Sequence, residues 1–420
     1  MKISEIHAMQ IFDSRGKPTV KAYVTLENGQ TGEASVPSGA STGKYEAYEM
    51  RDGGSEYGGD GVSKAVSHVE KEIAQVLCGT DADDIFYTDA AMIKKDGTYN
   101  KSALGANAVL AVSLAAARAS AAAYRMPLYR YLGGAGARIM PVPMMNILNG
   151  GAHAGNNIDI QEFMIVPSGA CCFTEAMKIG TEVYHALREL LKNEGYSVAV
   201  GDEGGFAPDL DSDERALDFL CSAVDEAGYR PGVDVFIAID AAVSDWYDGE
   251  KYTLPKRGKT LTGGELSQYF ERLVHGYPVI SIEDPLAETD FDGFAEITSR
   301  LAGTQIVGDD LFVTNKERLL EGIKKGAANA VLIKPNQIGS LSETLDTVLT
   351  AQCHGYAAVM SHRSGETEDT YIADIAVALG CGQIKTGAPC RSERAAKYNR
   401  LLEIEKKLGE SAVYGRKLYC

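Results

Sequence analysis

The sequence predicts an α/β protein in which a (β/α)8-type barrel follows a smaller α+β domain. The first part of the chain orders strands before helices, which is typical of a small α+β domain. Beyond Gly133, short β-branched runs alternate with helical stretches, as in parallel βα units. The ends of successive runs at Asp309, Lys334, His362 and Lys385 are 25, 28 and 23 residues apart. So regular a spacing suits a closed barrel.

An open, doubly wound sheet is the alternative architecture for the same alternation. It is less favoured because no run is followed by the G-x-G-x-x-G turn of dinucleotide-binding sheets. The glycine-rich segment 133–137 is the best candidate for a linker. We therefore predict an α+β capping domain at residues 1–133 and a barrel domain at residues 138–420.

The first predicted element is an antiparallel hairpin. Residues 19–27 alternate strictly between apolar and polar side chains, and Asn28-Gly29, which favours a two-residue hairpin turn, follows them. A loop of small residues, 37–43, comes next. Two helices are predicted after it. Residues 62–76 repeat apolar side chains at spacings of three and four, and residues 103–124 are mostly apolar, which indicates a buried helix.

In the barrel region, six apolar runs are predicted strands, and each ends in polar or ionisable residues. They are 235–240, 278–284, 305–310, 330–336, 356–362 and 383–386. Segments between them, such as 316–325 and 340–352, are predicted helices. Because the active site of a parallel barrel lies at the C-terminal ends of its strands, the residues that end these runs form the candidate site.

The charge of the chain limits its partners. With 41 Lys and Arg against 58 Asp and Glu, the 420 residues carry a formal net charge of -17. This opposes binding to nucleic acid and to anionic membrane surfaces. The N-terminus lacks a secretory h-region, and the longest uncharged apolar stretch, 103–117, is shorter than a membrane span. Eight cysteines without a C-x-x-C spacing are typical of reduced thiols in a cytoplasmic protein.

Three successive predicted strands end in carboxylates, at Asp240, Glu283 and Asp309. Converging at one edge of a barrel, they would form an all-oxygen ligand set, which favours Mg²⁺ over zinc or copper. Any one of them alone is better explained as a cap of the following helix. Three in succession, followed by basic strand ends, favour the metal site instead.

The remaining strand ends supply cations and a hydroxyl. Lys334 beside Mg²⁺ would have a lowered pKa and could act as a base near neutral pH. Arg363 and Ser364 offer donors suited to a phosphate or carboxylate, and Lys385 ends the last run. A lysine base with one or two Mg²⁺ ions is the known pattern of enolate-forming sites. The residues therefore predict a pocket that is locally cationic once metal is bound, for a small, multiply anionic substrate.

Two glycine-rich loops add candidate acids. The loop 201–208 presents Glu203 between glycines that let the backbone approach a ligand closely. A second loop carries His153 and leads into a predicted strand near Gln161 and Glu162. Each loop taken alone is at least as readily explained as a structural turn.

Six longer motifs resemble the enolase family. They occur in family order, after an opening DSRG segment at residues 13–16, over essentially the whole chain, and their length makes them highly specific. The motifs are SGASTG at 38–43, GDEGGFAP at 201–208, SIEDP at 281–285, IKPNQIG at 333–339, SHRSGETED at 361–369 and KTGAP at 385–389.

The resemblance implies reversible dehydration of 2-phospho-D-glycerate to phosphoenolpyruvate in glycolysis and gluconeogenesis. It implies a cytoplasmic homo-oligomer, a dimer or an octamer, with an additional secreted or cell-surface pool as in some relatives. It also implies two Mg²⁺ ions per active site. Asp240, Glu283 and Asp309 would hold the tighter ion, and Ser41 would join the second when substrate is bound and its loop closes.

The resemblance also assigns roles to the other candidates. Lys334 would remove the C2 proton, Glu203 would protonate the leaving 3-hydroxyl, and Mg²⁺ would stabilise the aci-carboxylate intermediate. His153 and Glu162 would complete the catalytic lining. Arg363 and Ser364 would bind the phosphate. The other implied substrate contacts are Gln161, His362 and Lys385.

Five positions depart from the usual family pattern: Met9, Lys17, Ala241, Pro335 and Cys390. Pro335 removes a backbone donor beside the lysine, so we expect a local adjustment at that strand end. None of the five removes a functional group.

Two other functions fit parts of the sequence. Another acid-sugar dehydratase or racemase of the wider superfamily would share the barrel and the metal carboxylates, but those relatives lack the SHRSGETED string. A binding or structural protein that kept the fold would not need Glu203, Lys334 and the carboxylates, and all of these are present.

Overall fold

The computed structural model describes residues 1–39 and 43–415. It confirms the predicted fold class, an α+β N-terminal domain followed by a closed eight-stranded barrel. The strands are β1 Ile3–Phe12, β2 Pro18–Leu26, β3 Thr31–Ser35, β4 Ile139–Met140, β5 Val142–Asn149, β6 Glu162–Val166, β7 Phe236–Asp240, β8 Tyr252–Thr253, β9 Thr260–Leu261, β10 Val279–Glu283, β11 Gln305–Gly308, β12 Ala330–Ile333, β13 Ala357–Ser361, β14 Gly382–Lys385 and β15 Val413–Tyr414.

The α-helices alternate with these strands in the second half of the chain. They are α1 Ser63–His68, α2 Ala74–Leu77, α3 Ile85–Asp96, α4 Ala106–Ala123, α5 Leu128–Gly133, α6 Phe173–Asn193, α7 Asp213–Glu226, α8 Gly263–Gly276, α9 Phe291–Arg300, α10 Lys316–Lys325, α11 Pro335–Ile338, α12 Leu341–Cys353, α13 Tyr371–Ala378 and α14 Ser392–Leu408. The predicted helix at 316–325 coincides with α10.

The N-terminal domain begins with an antiparallel sheet of order β1-β2-β3. The predicted hairpin is β2–β3, and Gly29 in its turn adopts the left-handed backbone conformation, with φ +81°. β1 precedes this hairpin and was not predicted. A register shift between Ile3 and Glu5 interrupts its pairing with β2, and its two buried isoleucines, Ile3 and Ile6, are three residues apart. The bulge therefore breaks the two-residue alternation on which strand prediction depends.

The predicted apolar helix is α4, which packs on β2 and β3. The approach is close: a Cβ at Gly32 of β3 would lie 2.2 Å from the backbone nitrogen of Ala119. By length and composition α4 could cross a membrane, but 83% of it is buried inside the protein. Its position is therefore that of a core helix in the N-terminal domain.

The predicted linker at 133–137 is closely packed at Gly133, whereas residues 134–136 are exposed. Gly133 ends α5, and a Cβ there would lie 2.1 Å from the carbonyl oxygen of Ala378 in α13. α5 and α13 are among the most extensively packed helix pairs across the two halves of the chain. The glycine therefore permits a tight contact rather than flexibility.

The barrel differs from a purely parallel one in a single strand. Its order is β5-β6-β7-β10-β11-β12-β13-β14, closing on itself. β6 pairs antiparallel with both β5 and β7, and the other pairs are parallel. The N-terminal end of β6 therefore lies at the same barrel edge as the C-terminal ends of the other strands. Glu162, the first residue of β6, pairs with Asp240, the last residue of β7, which in turn pairs with Glu283 of β10.

Candidate active site

A cavity of about 220 Å³ opens at this edge of the barrel. Of the predicted site residues that the structure describes, all except Glu283 line it. They are His153, Gln161, Glu162, Glu203, Asp240, Asp309, Lys334, His362, Arg363, Ser364 and Lys385. Glu283 is buried and contacts Lys385, which does line the cavity. Ser41 lies outside the described residues.

Lys385 is the buried cation of the site. Its Nζ lies 2.8 Å from Oδ2 of Asp240, 3.0 Å from both oxygens of Glu283 and 3.1 Å from Oε2 of Glu162. Burial opposes the charge of Lys385, but the carboxylates, Asp240 first, outweigh burial and raise its pKa well above the usual value. One ammonium does not balance three buried carboxylates, and burial and the charge of Asp240 raise the pKa of Glu283.

Lys334 follows β12 and contacts the carboxylate of Asp309 through Nζ. Gln337 donates to the other oxygen of Asp309 at 2.9 Å, so the carboxylate is held from both sides. Burial opposes the charge of Lys334, but Asp309 outweighs burial and raises its pKa. Pro335 is the first residue of α11, where a fixed φ is favourable and the missing N–H would have no helical partner. The proline is thus accommodated as the start of a short helix.

The chain's own side chains make the cavity acidic, although a cationic pocket was expected with metal bound. Among the lining residues that the structure describes, carboxylates outnumber lysines and arginines. Oxygens of Asp284, Asp309 and Asp310 come within 4.8 Å of one another. Burial, followed by the charge of Asp309, raises the pKa of Asp310 to about 7. This all-carboxylate set shares only Asp309 with the predicted ligands, and its excess negative charge suits a hard divalent cation such as Mg²⁺.

Two carboxyls and a histidine that also line the cavity form an acid–base cluster. Nδ1 of His153 lies 3.5 Å from Oε1 of Glu162 and 4.0 Å from Oε1 of Glu203. Burial, and then the charge of Glu203, raise the pKa of Glu162 well above its usual value. Burial also acts to raise the pKa of Glu203, but His362 and His153 outweigh it and lower that pKa. The surroundings thus shift the pKa values of the two carboxyls in opposite directions.

The loop that carries Glu203 is fixed at several points. Gly204 has φ +88°, which only glycine adopts readily, and Tyr184 donates to its carbonyl at 2.9 Å. Asn146 of β5 donates from Nδ2 to Oε2 of Glu203 at 3.0 Å. Sequence reasoning missed Asn146, because β5 was not among the predicted strands and an isolated asparagine carries no motif.

The two predicted phosphate ligands, Arg363 and Ser364, follow the C-terminal end of β13. Nη1 of Arg363 donates to Oε2 of Glu46 at 3.0 Å and to Oδ1 of Asn336 at 3.2 Å. Ser364 lines the cavity beside it. Glu46 was also missed by sequence reasoning, since it is a single acid after the small-residue loop and lies more than 300 residues from its partner. The structure thus supplies Arg363 with a buried carboxylate that orients its guanidinium.

Comparisons with known proteins cover nearly the whole chain. Residues 3–132 match the family model described as "Enolase, N-terminal domain", and residues 137–419 match "Enolase, C-terminal TIM barrel domain". A curated enolase of Acidothermus cellulolyticus is 56% identical over 413 residues, which span 98% of this chain and 96% of that relative.

Proposed function

Because this chain belongs to the enolase family and is a carbon–oxygen lyase, we propose that it interconverts 2-phospho-D-glycerate and phosphoenolpyruvate in glycolysis and gluconeogenesis. One observation carries the proposal: Lys334 and Glu203 line the same small cavity, and the carboxylates of Asp240 and Asp309 line it as well. A base, an acid and a metal-binding carboxylate set are the groups that such a dehydration requires.

Lys334 is the proposed base for the C2 proton. A base must be neutral when it acts, and the carboxylate of Asp309 keeps the ammonium charged in the free site. Asp240, Glu283 and Asp309 are the proposed ligands of the tighter Mg²⁺. When bound, Mg²⁺ supplies positive charge that offsets these carboxylates, favours the neutral amine of Lys334 and stabilises negative charge that develops on the substrate carboxylate. A second Mg²⁺, joined by Ser41, remains part of the proposal.

Glu203 is the proposed acid for the leaving 3-hydroxyl. Because the pKa of Glu203 is lowered and that of Glu162 is raised, Glu203 has to receive a proton before it can donate one. His153 lies near both carboxyls and is the proposed carrier of that proton. This gives both His153 and Glu162 a part in the chemistry.

The other proposed roles concern binding. Arg363 and Ser364 bind the substrate phosphate, and Glu46 supports the guanidinium of Arg363 in the orientation it needs. The proposed contacts to the rest of the substrate are Gln161, His362 and Lys385.

The wider context of the enzyme is proposed from the family and from composition. We propose a homo-oligomer, a dimer or octamer, in the cytoplasm, with domain boundaries at 1–133 and 138–420. An additional secreted or cell-surface pool remains part of the proposal, as in some relatives. Light scattering on the purified protein and fractionation of the source cells test these points.

The direct test follows the absorbance of phosphoenolpyruvate with purified protein, Mg²⁺ and 2-phosphoglycerate. We expect turnover that EDTA abolishes and that Lys334→Ala lowers by at least about 100-fold, since a positioned base typically contributes that much or more. Lys324→Ala, at an exposed lysine in the last turn of α10, is the matched control and should retain full activity. No turnover by the wild-type protein, or turnover insensitive to Lys334→Ala, would contradict the proposal.

A further inference from the structure

A fully buried arginine, Arg394 of α14, connects the two loops on either side of the proposed acid. Its Nη1 lies 2.6 Å from Nδ1 of His362 and donates to the carbonyl oxygen of Arg363 at 2.6 Å. Its Nη2 donates to the carbonyl oxygens of Asp202 at 3.1 Å and Ser364 at 2.6 Å. The guanidinium thus joins the backbone next to Glu203 to the backbone of the phosphate-binding loop.

The contact with His362 determines where the proton of the imidazole lies. A guanidinium has only donors, so Nδ1 must accept and must carry a lone pair. A doubly protonated ring would set one N–H against another across 2.6 Å, beside a like charge. Turning the ring by 180° would set a C–H against Nη1 at the same short distance. His362 is therefore neutral, with its hydrogen on Nε2.

The surroundings of the ring support the neutral form. His362 is 2% exposed. Burial acts first to lower its pKa, the charge of Glu203 opposes burial, and Arg394 lowers the pKa further, with Glu366 opposing weakly. The resulting pKa is about 4, so the ring stays neutral across the physiological range.

Nε2 is the ring nitrogen that lies near the acid. It is 3.3 Å from Oε2 of Glu203 but makes no hydrogen bond within the described residues. Oε2 accepts a hydrogen bond from Nδ2 of Asn146 at 3.0 Å, and it therefore has one donor and a second N–H close by. The other oxygen, Oε1, lies 4.0 Å from His153 instead. Donor groups around Oε2 disfavour a proton on that oxygen.

We propose that Arg394 is a positioning residue for the acid: it fixes His362 as the neutral Nε2–H tautomer, so that Glu203 carries its transferable proton on Oε1. The inference rests on the proposed role of Glu203 as the acid. It assigns His362 a fixed donor function and excludes it as a general base in the reaction. It also explains why a buried arginine on α14, outside the cavity, belongs to the catalytic arrangement.

The tautomer can be measured on the wild-type protein without reference to activity. Magic-angle-spinning ¹⁵N NMR of protein labelled with [¹⁵N]histidine distinguishes protonated from unprotonated ring nitrogens, and His362→Gln identifies the signals among seven histidines. We expect an unprotonated Nδ1 and a protonated Nε2 for His362, unchanged from pH 6 to pH 8. A protonated Nδ1, or a ring that titrates in this range, would overturn the proposal. An inactive protein with the expected tautomer would instead contradict only the proposed function.

Kinetics of Arg394→Lys test the functional consequence. A lysine keeps the charge but has no planar fork to reach four acceptors, so we expect a mixture of His362 tautomers. A misplaced acid raises the activation barrier, and each 1.36 kcal/mol of barrier lowers the rate tenfold. We therefore expect kcat to fall by about tenfold or more, with a smaller change in KM. Lys407→Gln, at an exposed lysine on the same helix, is the matched control. Unchanged ¹⁵N signals and unchanged kcat in Arg394→Lys would refute the proposal, and the wild-type spectra decide it if this variant fails to fold.

Discussion

Nζ of Lys385 lies 2.8 Å from Oδ2 of Asp240, although the two residues end strands that are not neighbours in the barrel. The lysine therefore reaches across the barrel mouth and places its charge among carboxylates from β6, β7 and β10. These carboxylates are buried, so their ionisation depends on a nearby cation. In the protein without metal, Lys385 is that cation.

Lys385→Met should abolish turnover and destabilise the protein most strongly without metal. Removing one partner of a buried ion pair typically costs about 3–5 kcal/mol, because it leaves uncompensated charge. We expect a loss of this size in urea unfolding with EDTA at pH 8. Mg²⁺ should recover part of it, because a divalent cation bound to the same carboxylates replaces the missing charge. Lowering the pH should also narrow the difference, since the carboxyls take up protons.

Lys324→Met serves as the control for the Lys385 variant, since Lys324 is exposed in α10. It should unfold as the wild type does under every condition. An equal loss for Lys385→Met with and without Mg²⁺ would show that the lysine and the metal do not share these carboxylates.

A second prediction concerns Asp89, which lies on α3 at the contact between the N-terminal domain and the barrel. Its Oδ2 accepts from the backbone nitrogen of Ser342 at 2.8 Å, and its Oδ1 is among the buried oxygens without a hydrogen-bond partner in the described residues. Burial raises the pKa of Asp89 to about 6. The folded protein thus binds this proton more tightly than the unfolded chain, whose pKa is near 3.8.

The sign of the resulting pH dependence follows from linkage. The stabilising contribution of the Asp89 proton is complete below pH 3.8 and is lost as the pH rises through about 6. Asp89→Asn removes this pH-dependent loss of stability. At pH 7.5 we therefore expect the variant to be more stable than the wild type by up to about 3 kcal/mol, from 1.36 kcal/mol per pKa unit. Urea unfolding at pH 4 and pH 7.5 measures it. A variant that is less stable at pH 7.5 would contradict the assignment.

Strand ends made much of the site predictable from sequence. Asp240, Glu283, Lys334 and Lys385 each end or follow an apolar run, and the barrel rule places such residues together. Glu162 escapes that rule, because β6 runs antiparallel and the residue begins its strand. It entered the prediction as a polar residue after a glycine-rich loop, and the family resemblance supplied its role.

Other site residues had no signal in the sequence. Asn146, Glu46 and Arg394 act through contacts that span from 30 to 317 residues of chain. None of them belongs to a periodic pattern that predicts its partner. The same reason explains the missed strand β1, whose alternation is interrupted by a bulge. Local patterns therefore predicted the fold and which residues lie at the strand ends, and tertiary packing alone positions the supporting residues.

Cys390 provides a third prediction, because its thiol lies against the loop that carries the proposed acid. Sγ lies 3.4 Å from the carbonyl oxygen of Gly204 and 3.3 Å from the hydroxyl oxygen of Tyr184. Methyl methanethiosulfonate adds a methylthio group to a thiol that contacts this carbonyl, so we expect modification to displace the loop and inhibit the enzyme. Dithiothreitol should restore activity by removing the group. Cys390→Ala, which keeps the space open, should be active and resistant, and equal inhibition of the variant would assign the effect to another of the eight cysteines.

The final prediction concerns Arg257, which braces the loop that carries His153. Its guanidinium contacts the carboxylates of Asp159 and Asp213, and Asp213 accepts from the backbone nitrogens of Asp159 at 3.1 Å and Ile160 at 3.2 Å. Arg257→Ala leaves both carboxylates without this cation and loosens the segment that leads to Glu162. Because the arginine is 29% exposed, the expected loss of stability is about 2 kcal/mol, below that for a fully buried pair.

Catalysis should respond more strongly than stability to the loss of Arg257. A displacement of catalytic groups by about 1 Å can cost up to about 100-fold in rate, so we expect kcat/KM to fall by about tenfold or more. Arg272→Ala is a matched control: both arginines lie over the ring of Tyr269, at 5.5 and 5.7 Å, but among the described contacts Arg257 is the one that reaches Asp159. An equal effect of the two variants on kcat/KM would assign the role to packing on the ring rather than to the loop.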